Sequence, residues 1–570
     1  MRDYEQIAQQ YAHDVLAETI PACKWVKAAA QRQIDDLEKY ADGEQFLWNP
    51  VIIKRGKEVQ PVDDICSFIE KLSHVDAQWA GTPIILESWQ VFILSCVFGW
   101  TGTDGLRRFR EVYLEVPRKN GKSLMLSAIG LYMLTADDEA GAQVVSAARQ
   151  RDQARVVWDV SRRMVVAEPD LQSALGVTAQ KLSVYVESTG SSFQALASDK
   201  DSLDGKSISC ALVDELHAHR DRGTYDVLDS GTGARAQPII FIITTAGSNQ
   251  AGICYERREY VTKILDKSIP DDMATLSTFG VIYTIDNDDI DNIWKDTTLL
   301  QKANPNYGVS VLPFGIEKDW NKAKQTPSAQ NEFLTKRLNV WVNADTAWMQ
   351  MHRWDSCKDE SLKLEDFEGQ ECIMGGDFAS KIDIASICLL FERDGHLYPF
   401  FRHYLPDETV RTSSNDMYSG WWRDGSLTVT EGQIVDFDKI QQDCIDFASR
   451  FQVKEFAYDP HQATQFAGNM ISEGFNMIEV RPLVLNFSEP MKELEARVLA
   501  NTISHNDPIA TWMVSNVVGH YDAKDNIYPR KQRPENKIDG VIALLSALNR
   551  YMRPSDDNTS IYDKRGLRVI

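Results

Sequence analysis

The sequence of 570 residues lacks the features that mark several classes of protein. It contains no run of about 18 apolar residues, so a membrane span is not expected. Its polar start, MRDYEQIAQQYAHD, has no apolar core of a secretory signal. The nine cysteines are scattered without a CxxC pair, which argues against a zinc site. Their odd number and wide spacing suit a reducing cytoplasm.

The chain also lacks an excess of positive charge, since 83 acidic residues outnumber 61 basic ones and the net charge is −22. A protein that coats nucleic acid usually carries the opposite sign. Catalytic carboxylates with metal ions can still work from a locally basic groove, so a DNA enzyme is not excluded. Any DNA contacts are expected to be few and local, and to come from several subunits together.

The chain is long enough for about two to four domains, and its patterns change along its length. Helical spacing dominates residues 1–75, and a buried helix is predicted within 83–100. Short apolar strands then alternate with helices at 111–116, 142–147, 209–215 and 238–246. Runs such as IIFII suit strands buried on both faces of a parallel sheet, and the alternation predicts an α/β doubly wound domain.

A second strand-rich pattern follows a mainly helical, polar stretch at 250–345 and a charged boundary at 345–368. We therefore expect a helical extension at 1–60, a first catalytic domain at 61–260, a helical linker at 261–360, a second domain at 361–553 and a flexible tail at 554–570.

A phosphate-binding loop is predicted at residues 116–123 (VPRKNGKS), between a strand and a helix. Such a loop needs backbone N–H groups that face phosphate, a lysine for the phosphate charge and a hydroxyl for Mg²⁺. The residues expected to contact the nucleotide are Arg118, Asn120, Gly121, Lys122 and Ser123, with Ser123 also on the metal. Val116 stands where the motif GxxxxGK[ST] has its first glycine, so GKS by itself equally fits a basic turn that caps a helix.

An acidic pair, Asp214 and Glu215, follows at the end of an apolar strand. Asp214 would help to hold Mg²⁺ through water, and Glu215 would polarise the attacking water. Acidic residues at strand ends are also common helix caps. Because both elements occur in the expected order and on the expected secondary structure, we predict ATP hydrolysis.

Three further positions fit an ATPase, each with a plainer alternative. Gln90 could read the adenine edge or cap a helix. Thr245, within Thr244 to Gly247, could sense the γ-phosphate or end a strand. Arg149, with Arg151 as a competitor, could act as an arginine finger on a neighbouring subunit's ATP or be simply solvated.

Three aspartates in the second half of the chain predict a metal site. Asp377 and Asp459 follow strands, and Asp539 opens a helical run. Each could be a cap or turn residue, but carboxylates that converge raise one another's pKa unless cations neutralise them. Two Mg²⁺ or Mn²⁺ ions would do so, and would activate water for phosphodiester hydrolysis. Possible additional members, each with a structural alternative, are Asp383, His461, His505 and Lys537.

The chain resembles the large terminase subunits of HK97-like tailed phages. The motifs that carry the resemblance are WAGTPIILESWQ, PRKNGKS, LDGKSISCALVDELHAH, TTAG, GGDFAS, AYDP, HNDPIATWMVSN and KIDGVIAL, in that order over about residues 60–550. The resemblance implies an N-terminal ASCE-type P-loop ATPase with a parallel sheet, a small linker subdomain, and a C-terminal RNase H-like nuclease with a mixed sheet. It leaves open whether Arg118 or Lys119 touches phosphate.

The resemblance also implies a function in viral genome packaging. Such a subunit cuts concatemeric double-stranded DNA and pumps it with ATP into a procapsid in the host cytoplasm. Its partners would be the portal protein, a small terminase subunit and its own copies in a ring, for which the resemblance implies a pentamer, although an isolated chain can be monomeric. The alternatives are a helicase-nuclease of repair or recombination, and a structural phage protein with decayed motifs.

Overall fold

The computed structural model describes all residues except 1, 55, 149–150, 181–182, 197–205, 220–221, 251, 291, 326, 343–347, 379–382, 414, 416, 462, 523, 534 and 554–570. For residues 151, 152, 327, 328 and 352 it describes the backbone but not the side chain. The chain divides into two compact units, Met1–Asp345 and Thr346–Ile570. No helix in the described part of the chain is long and apolar enough to cross a membrane.

The first unit is built on a sheet of eight strands. The strands of this unit are β1 Phe46–Trp48, β2 Ile52–Lys54, β3 Lys57–Val59, β4 Trp100–Gly102, β5 Glu111–Glu115, β6 Gln143–Ala147, β7 Val177–Ala179, β8 Val184–Val186, β9 Ser191–Leu196, β10 Cys210–Asp214, β11 Ile239–Thr244 and β12 Thr278–Ile282. The main sheet has the order β12-β5-β11-β10-β6-β9-β8-β7. Its first six strands are parallel, and the β7–β8–β9 edge is antiparallel. The strands β10 and β11 are buried along their whole length, as their unbroken apolar sequence predicts.

Helices cover this sheet. They are α1 Tyr4–Leu16, α2 Lys24–Lys39, α3 Pro61–Glu70, α4 Ser88–Gly99, α5 Lys122–Thr135, α6 Arg151–Ala167, α7 Pro169–Leu175, α8 Gly223–Thr232, α9 Ile253–Leu265, α10 Met273–Leu276, α11 Leu300–Ala303, α12 Pro313–Gln325 and α13 Pro327–Arg337. The helices α4 and α5 are apolar on all sides and almost fully buried.

The structure extends the sheet beyond the boundary predicted at residue 260. Strand β12 lies in the stretch predicted as mainly helical, yet all five of its residues are buried and it pairs in parallel with β5. Residues 1–60, predicted as a separate extension, share the core of the first unit. The ring of Tyr11 lies 5.2 Å from that of Phe92, and its hydroxyl lies 3.1 Å from that of Tyr283.

A smaller core forms at the end of the first unit. Its fully buried members are Ile285, Ile293, Leu300, Ala303, Val311, Ile316, Ala323, Phe333 and Leu338. We call residues 285–340 the linker segment. It contains α11, α12 and α13, and its loops approach the predicted phosphate-binding loop.

The second unit contains a mixed sheet of six strands in the order β16-β15-β14-β13-β17-β18. The strands of this unit are β13 Glu371–Asp377, β14 Ala385–Arg393, β15 His396–Pro406, β16 Leu427–Thr430, β17 Gln452–Tyr458, β18 Met477–Glu479, β19 Val517–Tyr521 and β20 Ile527–Lys531. Its helices are α14 Met351–Ser356, α15 Asp407–Thr412, α16 Met417–Asp424, α17 Phe437–Arg450, α18 Thr464–Ser472, α19 Val484–Ala500, α20 Pro508–Asn516 and α21 Asp539–Tyr551. A mixed sheet with a leading strand that ends in Asp377 agrees with the expected fold.

The linker predicted to end at residue 360 is shorter in the structure. Trp348, Met349, Trp354 and Cys357 are buried in the core of the second unit, because these large side chains pack with α19, α20 and α21. The predicted flexible tail at 554–570 lies outside the described residues.

Candidate active sites

The phosphate-binding loop connects β5 to α5 through two residues with left-handed backbone. Lys119 has φ 74°, and Gly121, which precedes the first residue of α5, has φ 80°. Glycine adopts this conformation at no steric cost, whereas Lys119 is strained, and such strain is typical of ligand-binding loops. Lys122 is only 8% exposed, and its Nζ donates to the carbonyl of Val116 at 3.0 Å. The start of α5 therefore offers backbone N–H groups and the buried cation of Lys122 to a bound anion.

The predicted acidic pair lies against this lysine. Glu215 Oε1 lies 3.4 Å from Lys122 Nζ, and Glu215 itself has a left-handed backbone with φ 52°. Burial alone would raise the pKa of Glu215, but the charge of Lys122 and a hydrogen bond from His217 hold it below its ordinary value. Burial and the charge of Glu215 raise the pKa of Asp214 to about 7.

Asp214 offers a ligand for a cation. Its Oδ1 is buried and has no hydrogen-bond partner within the described residues. Buried carboxylate oxygens are normally paired. The unpaired oxygen beside the strand end therefore fits a divalent cation, which would also lower the pKa of Asp214.

Thr245 and His217 hold the second oxygen of Glu215. The backbone N–H and the hydroxyl of Thr245 donate to Oε2 at 3.2 and 3.1 Å. His217 Nδ1 lies 3.1 Å from the same oxygen, and its Nε2 lies 3.2 Å from Lys336 Nζ. Because an ammonium group can only donate, Nε2 accepts and Nδ1–H donates to Glu215. Burial lowers the pKa of His217, in agreement with a neutral ring.

Asn120 connects the phosphate-binding loop to the linker segment. Its Nδ2 donates to Asn304 Oδ1 at 3.1 Å, and its Oδ1 accepts from the backbone N–H of Asn306 at 3.0 Å. The side chain is fully buried. The sequence predicted a nucleotide contact for Asn120, whereas the structure directs its side chain to protein, because residues 304–306 approach the loop.

Gln90 caps a helix, as the alternative prediction for this residue stated, and it also lies beside the phosphate-binding loop. Its Oε1 accepts from the backbone N–H of Glu87 at 3.0 Å in a capping box at the start of α4. Its Nε2 lies 3.8 Å from the position that a Cβ on Gly121 would occupy. Helix capping and a place beside the nucleotide loop are therefore compatible.

Arg118 and Lys119 line a cavity of about 270 Å³ with residues of α12 and α13, among them Lys322 and Lys336. Arg149 lies outside the described residues, and the side chain of Arg151 is not described. The predicted arginine finger stays a prediction.

In the second unit, the sheet brings Asp377 and Asp459 to one edge. Strands β13 and β17 are parallel, and Gly376 is the partner of Tyr458, so the two aspartates follow at the carboxyl ends of adjacent strands. Asp539 begins α21, which packs on β13. The helix approaches so closely that a Cβ on Gly375 would lie 2.0 Å from the carbonyl oxygen of Ala543.

The electrostatics of these aspartates indicate a cation site. Burial raises the pKa of Asp377 well above its ordinary value, and the charges of Asp539 and Asp459 raise it further. Burial raises the pKa of Asp539 to about 6, with the charge of Asp383 as the second cause. Asp539 Oδ2 is buried without a hydrogen-bond partner among the described residues.

Cations shared between pairs of carboxylates are compatible with the arrangement of these aspartates. Within the described parts of the chain, no three His, Cys, Asp or Glu side chains lie close enough together to ligate one ion. The aspartates nevertheless act on one another's pKa, and Asp539 keeps an unpaired oxygen. This combination fits cations held between pairs of carboxylates.

Comparison with known proteins identifies the family to which both units belong. The family model described as "Terminase large subunit, ATPase domain" matches residues 88–263, and the model "Terminase large subunit, endonuclease domain" matches residues 272–554. Protein YmfN of Escherichia coli (strain K12) is 38% identical over 371 residues, which cover 62% of this chain and 80% of that protein. The chain belongs to the large terminase subunit family.

This terminase has more distant relatives along most of its length. The large terminase subunit of Enterobacteria phage HK97 is 25% identical over 503 residues, covering 85% of this chain and 94% of the relative. The crystal structure of the HK97 bacteriophage large terminase aligns with a TM-score of 0.43 and 22% identity, over 87% of this chain and all of that one.

As a large terminase subunit, the protein is an ATPase and an endonuclease that packages and cuts viral DNA, and its domains use a nucleotide and a divalent metal. Both alternatives, a helicase-nuclease and a decayed structural protein, are set aside by these two family matches.

Sequence reasoning missed several residues of the two sites of this terminase. His217 and Lys336 brace Glu215, and the only sequence signal was a histidine two positions after the acidic pair. Lys531, at the end of β20, lowers the pKa of both Asp377 and Asp539 against the raising effect of burial. Of the four possible additional members, Asp383 and Lys537 pair with each other at 2.8 Å, and His505 is buried against the ring of Trp354.

Proposed function

We propose that the first unit hydrolyses ATP at a site formed by Lys122, Ser123, Asp214 and Glu215. The supporting observation is that Lys122 Nζ lies 3.4 Å from Glu215 Oε1, although the two residues are far apart in the sequence. Lys122 would stabilise phosphate charge. Glu215, held in its ionised form, would accept a hydrogen bond from the attacking water.

Ser123 and Asp214 would hold the metal of this site, which we propose to be Mg²⁺. When bound, the ion would neutralise charge on the phosphates. Thr245 would sense the γ-phosphate, because it donates two hydrogen bonds to Glu215 and follows the end of β11. Gln90, Arg118, Gly121 and the loop N–H groups would position the nucleotide, while Asn120 would hold the loop on the linker segment. Arg149 is proposed to act on a neighbouring subunit's nucleotide.

The second unit is proposed to cut DNA at Asp377, Asp459 and Asp539. The observation that carries this proposal is the parallel register that places Asp377 and Asp459 at neighbouring strand ends. The three carboxylates would hold two Mg²⁺ or Mn²⁺ ions, which supply an activated water and stabilise the leaving oxygen. The three aspartates would fix the direction in which water attacks the phosphodiester, because each lies at the end of a strand or helix that packs on a buried core.

We also propose domain boundaries and an assembly for this protein. The ATPase domain would extend through β12, the linker segment would cover 285–340, and the nuclease would begin near residue 348. Packaging would take place in the host cytoplasm, in a ring of five subunits docked on the portal of a procapsid. A small terminase subunit would select the DNA. The net charge of −22 supports DNA contacts shared among several subunits.

Paired substitutions in the full chain test the two-site proposal. Lys122→Ala should lower ATP hydrolysis on the order of 100-fold and leave metal-dependent plasmid cutting intact. Asp377→Asn should do the reverse. Two controls are matched in chemistry: Lys57→Ala removes an exposed lysine, and Asp394→Asn removes an exposed aspartate from the β14–β15 turn. Loss of both activities from either site variant, in a chain that still folds, would overturn the proposal.

A further inference from the structure

A line of buried hydrogen bonds lies behind the proposed metal site in the second unit. Ser386 Oγ, on β14, lies 2.8 Å from His403 Nδ1 on β15. His403 Nε2 lies 3.3 Å from Asp507 Oδ1, and the same carboxylate oxygen accepts from the backbone N–H of Ala510 at 2.7 Å, which caps α20. Ser386 and His403 are fully buried, and the side chain of Asp507 is 14% exposed.

The ionised carboxylate of Asp507 determines which atom donates in its hydrogen bond with His403. Burial would raise the pKa of Asp507, but the charge of His403 and the N–H groups at the start of α20 hold it below its ordinary value. An ionised carboxylate only accepts, so Nε2–H of His403 donates to it. Nδ1 of His403 accepts from the hydroxyl of Ser386 when the ring is neutral, and donates to it when the ring is protonated.

The order Ser, His, Asp is that of a hydrolytic triad, but the surroundings exclude that role. A nucleophilic serine must reach a substrate, whereas Ser386 is fully enclosed between neighbouring strands. A buried polar network of this kind gives less stability than well-packed apolar side chains would. What it supplies is a fixed geometry, since each partner has one satisfied orientation.

The serine and the histidine of this network each lie against backbone that carries a proposed metal-site aspartate. Ser386 is the register partner of Asp377 in the antiparallel pair β13–β14. A Cβ on Gly540, the residue after Asp539, would lie 2.9 Å from His403 Cε1. The N–H of Gly540 also lies against Met513 Sδ at 3.0 Å, on the helix that Asp507 caps.

We propose that His403 is a positioning residue of the nuclease site, which sets the separation of Asp377 and Asp539 through Ser386 on one side and Gly540 on the other. The inference rests on the proposed role of these two aspartates in holding metal. A side chain one step removed from metal ligands typically changes metal affinity by about 10–100-fold when it is replaced. His403 should therefore act on metal affinity more than on the rate at saturating metal.

The test uses the full chain with His403→Phe, which keeps a ring of similar size but forms no hydrogen bond. The matched control is His396→Phe, at the opposite end of the same strand, where the histidine Nε2 lies 2.9 Å from Ser504 Oγ. Calorimetry with Mn²⁺ measures binding directly, and the part of the heat that Asp377→Asn abolishes is assigned to the nuclease site. Plasmid cutting at increasing Mg²⁺ gives the half-saturating concentration, and ATP hydrolysis reports the integrity of the first unit.

For His403→Phe we expect Asp377-dependent Mn²⁺ binding to weaken about tenfold or more. The half-saturating Mg²⁺ concentration should rise equally, much of the cutting rate should return at high Mg²⁺, and ATP hydrolysis should not change. His403→Gln retains a donor for Asp507 and should recover part of the affinity. If His403→Phe does not fold, Ser386→Ala removes one hydrogen bond only and should shift the affinity in the same direction.

Unchanged Mn²⁺ affinity in His403→Phe, or in a folded Ser386→Ala, would overturn the positioning role at any cutting rate. That result differs from a failure of the proposed nuclease site, in which Asp377→Asn itself would bind Mn²⁺ and cut DNA like the unaltered chain.

Discussion

Lys122 and Glu215 contact each other directly, with 3.4 Å between Nζ and Oε1. The cation expected to meet phosphate is thus paired with the carboxylate expected to meet water. Glu215 also accepts hydrogen bonds from Thr245 and His217, so it stays in place when Lys122 turns towards a ligand. Nucleotide binding must therefore compete with this ion pair for Lys122.

Glu215→Gln should separate binding from hydrolysis. The substitution removes the charge that holds Lys122, so ATP affinity should be equal or higher, while hydrolysis falls on the order of 100-fold. Binding of a fluorescent ATP analogue and phosphate release measure the two effects. Glu256→Gln, an exposed glutamate on α9, is the control. A clear loss of ATP affinity in Glu215→Gln would contradict the competition.

His217 and Lys336 should act as one unit on Glu215. His217→Ala and Lys336→Ala are each expected to slow hydrolysis by about tenfold, the effect of one lost hydrogen bond to a charged group, with little change in nucleotide affinity. Because Lys336 contacts the ring of His217, which in turn contacts Glu215, the double variant should be no slower than either single one. Strictly additive effects in this double-mutant cycle would show that the two residues act independently. His13→Ala, an exposed histidine on α1, is the control.

Asp214 should make folding stability depend on pH. Its folded pKa of about 7 lies above the ordinary value of 3.8, so the folded state binds the proton more tightly. That contribution stabilises the protein as pH falls from about 7 towards 3.8, and it is lost above pH 7. In chelator, Asp214→Asn should thus be more stable than the unaltered chain by up to about 4 kcal/mol at pH 8, and the difference should shrink towards pH 4. Thermal unfolding at several pH values tests this, and a difference independent of pH would refute it.

Much of the fold and of both sites was predictable because their signals are local. The loop 116–123, the pair Asp214 and Glu215, and the apolar strands that carry them occupy short stretches, and each stretch determines its own structure. The three aspartates proposed for the nuclease site were selected in the same way, from the strand or helix beside each one.

The remainder depends on contacts between distant parts of the chain. The hydrogen bonds of Asn120 to Asn304 and Asn306 could not be predicted, because those partners lie far along the sequence. Strand β12 has only five residues and no alternation, so nothing local separates it from a short helix, and its pairing with β5 decides the matter. The buried serine, histidine and aspartate of the second unit likewise come from three different elements.

Gly375→Ala should disable the nuclease through the backbone. The added Cβ would lie 2.0 Å from the carbonyl of Ala543, and backbone of α21 cannot move without moving Asp539. We expect cutting to fall by at least about tenfold and the second unit to lose about 1–3 kcal/mol of stability, with ATP hydrolysis unchanged. Gly468→Ala, on α18 with open space around it, is the matched control. Normal cutting by Gly375→Ala would show that the close helix contact does not position Asp539.

The most direct measurement of the central claim is anomalous diffraction from crystals of the protein soaked in Mn²⁺. We predict Mn²⁺ peaks bridging pairs among Asp377, Asp459 and Asp539, and their disappearance in Asp377→Asn. Crystals that hold Mn²⁺ elsewhere but show none between these three carboxylates would contradict the proposed nuclease site.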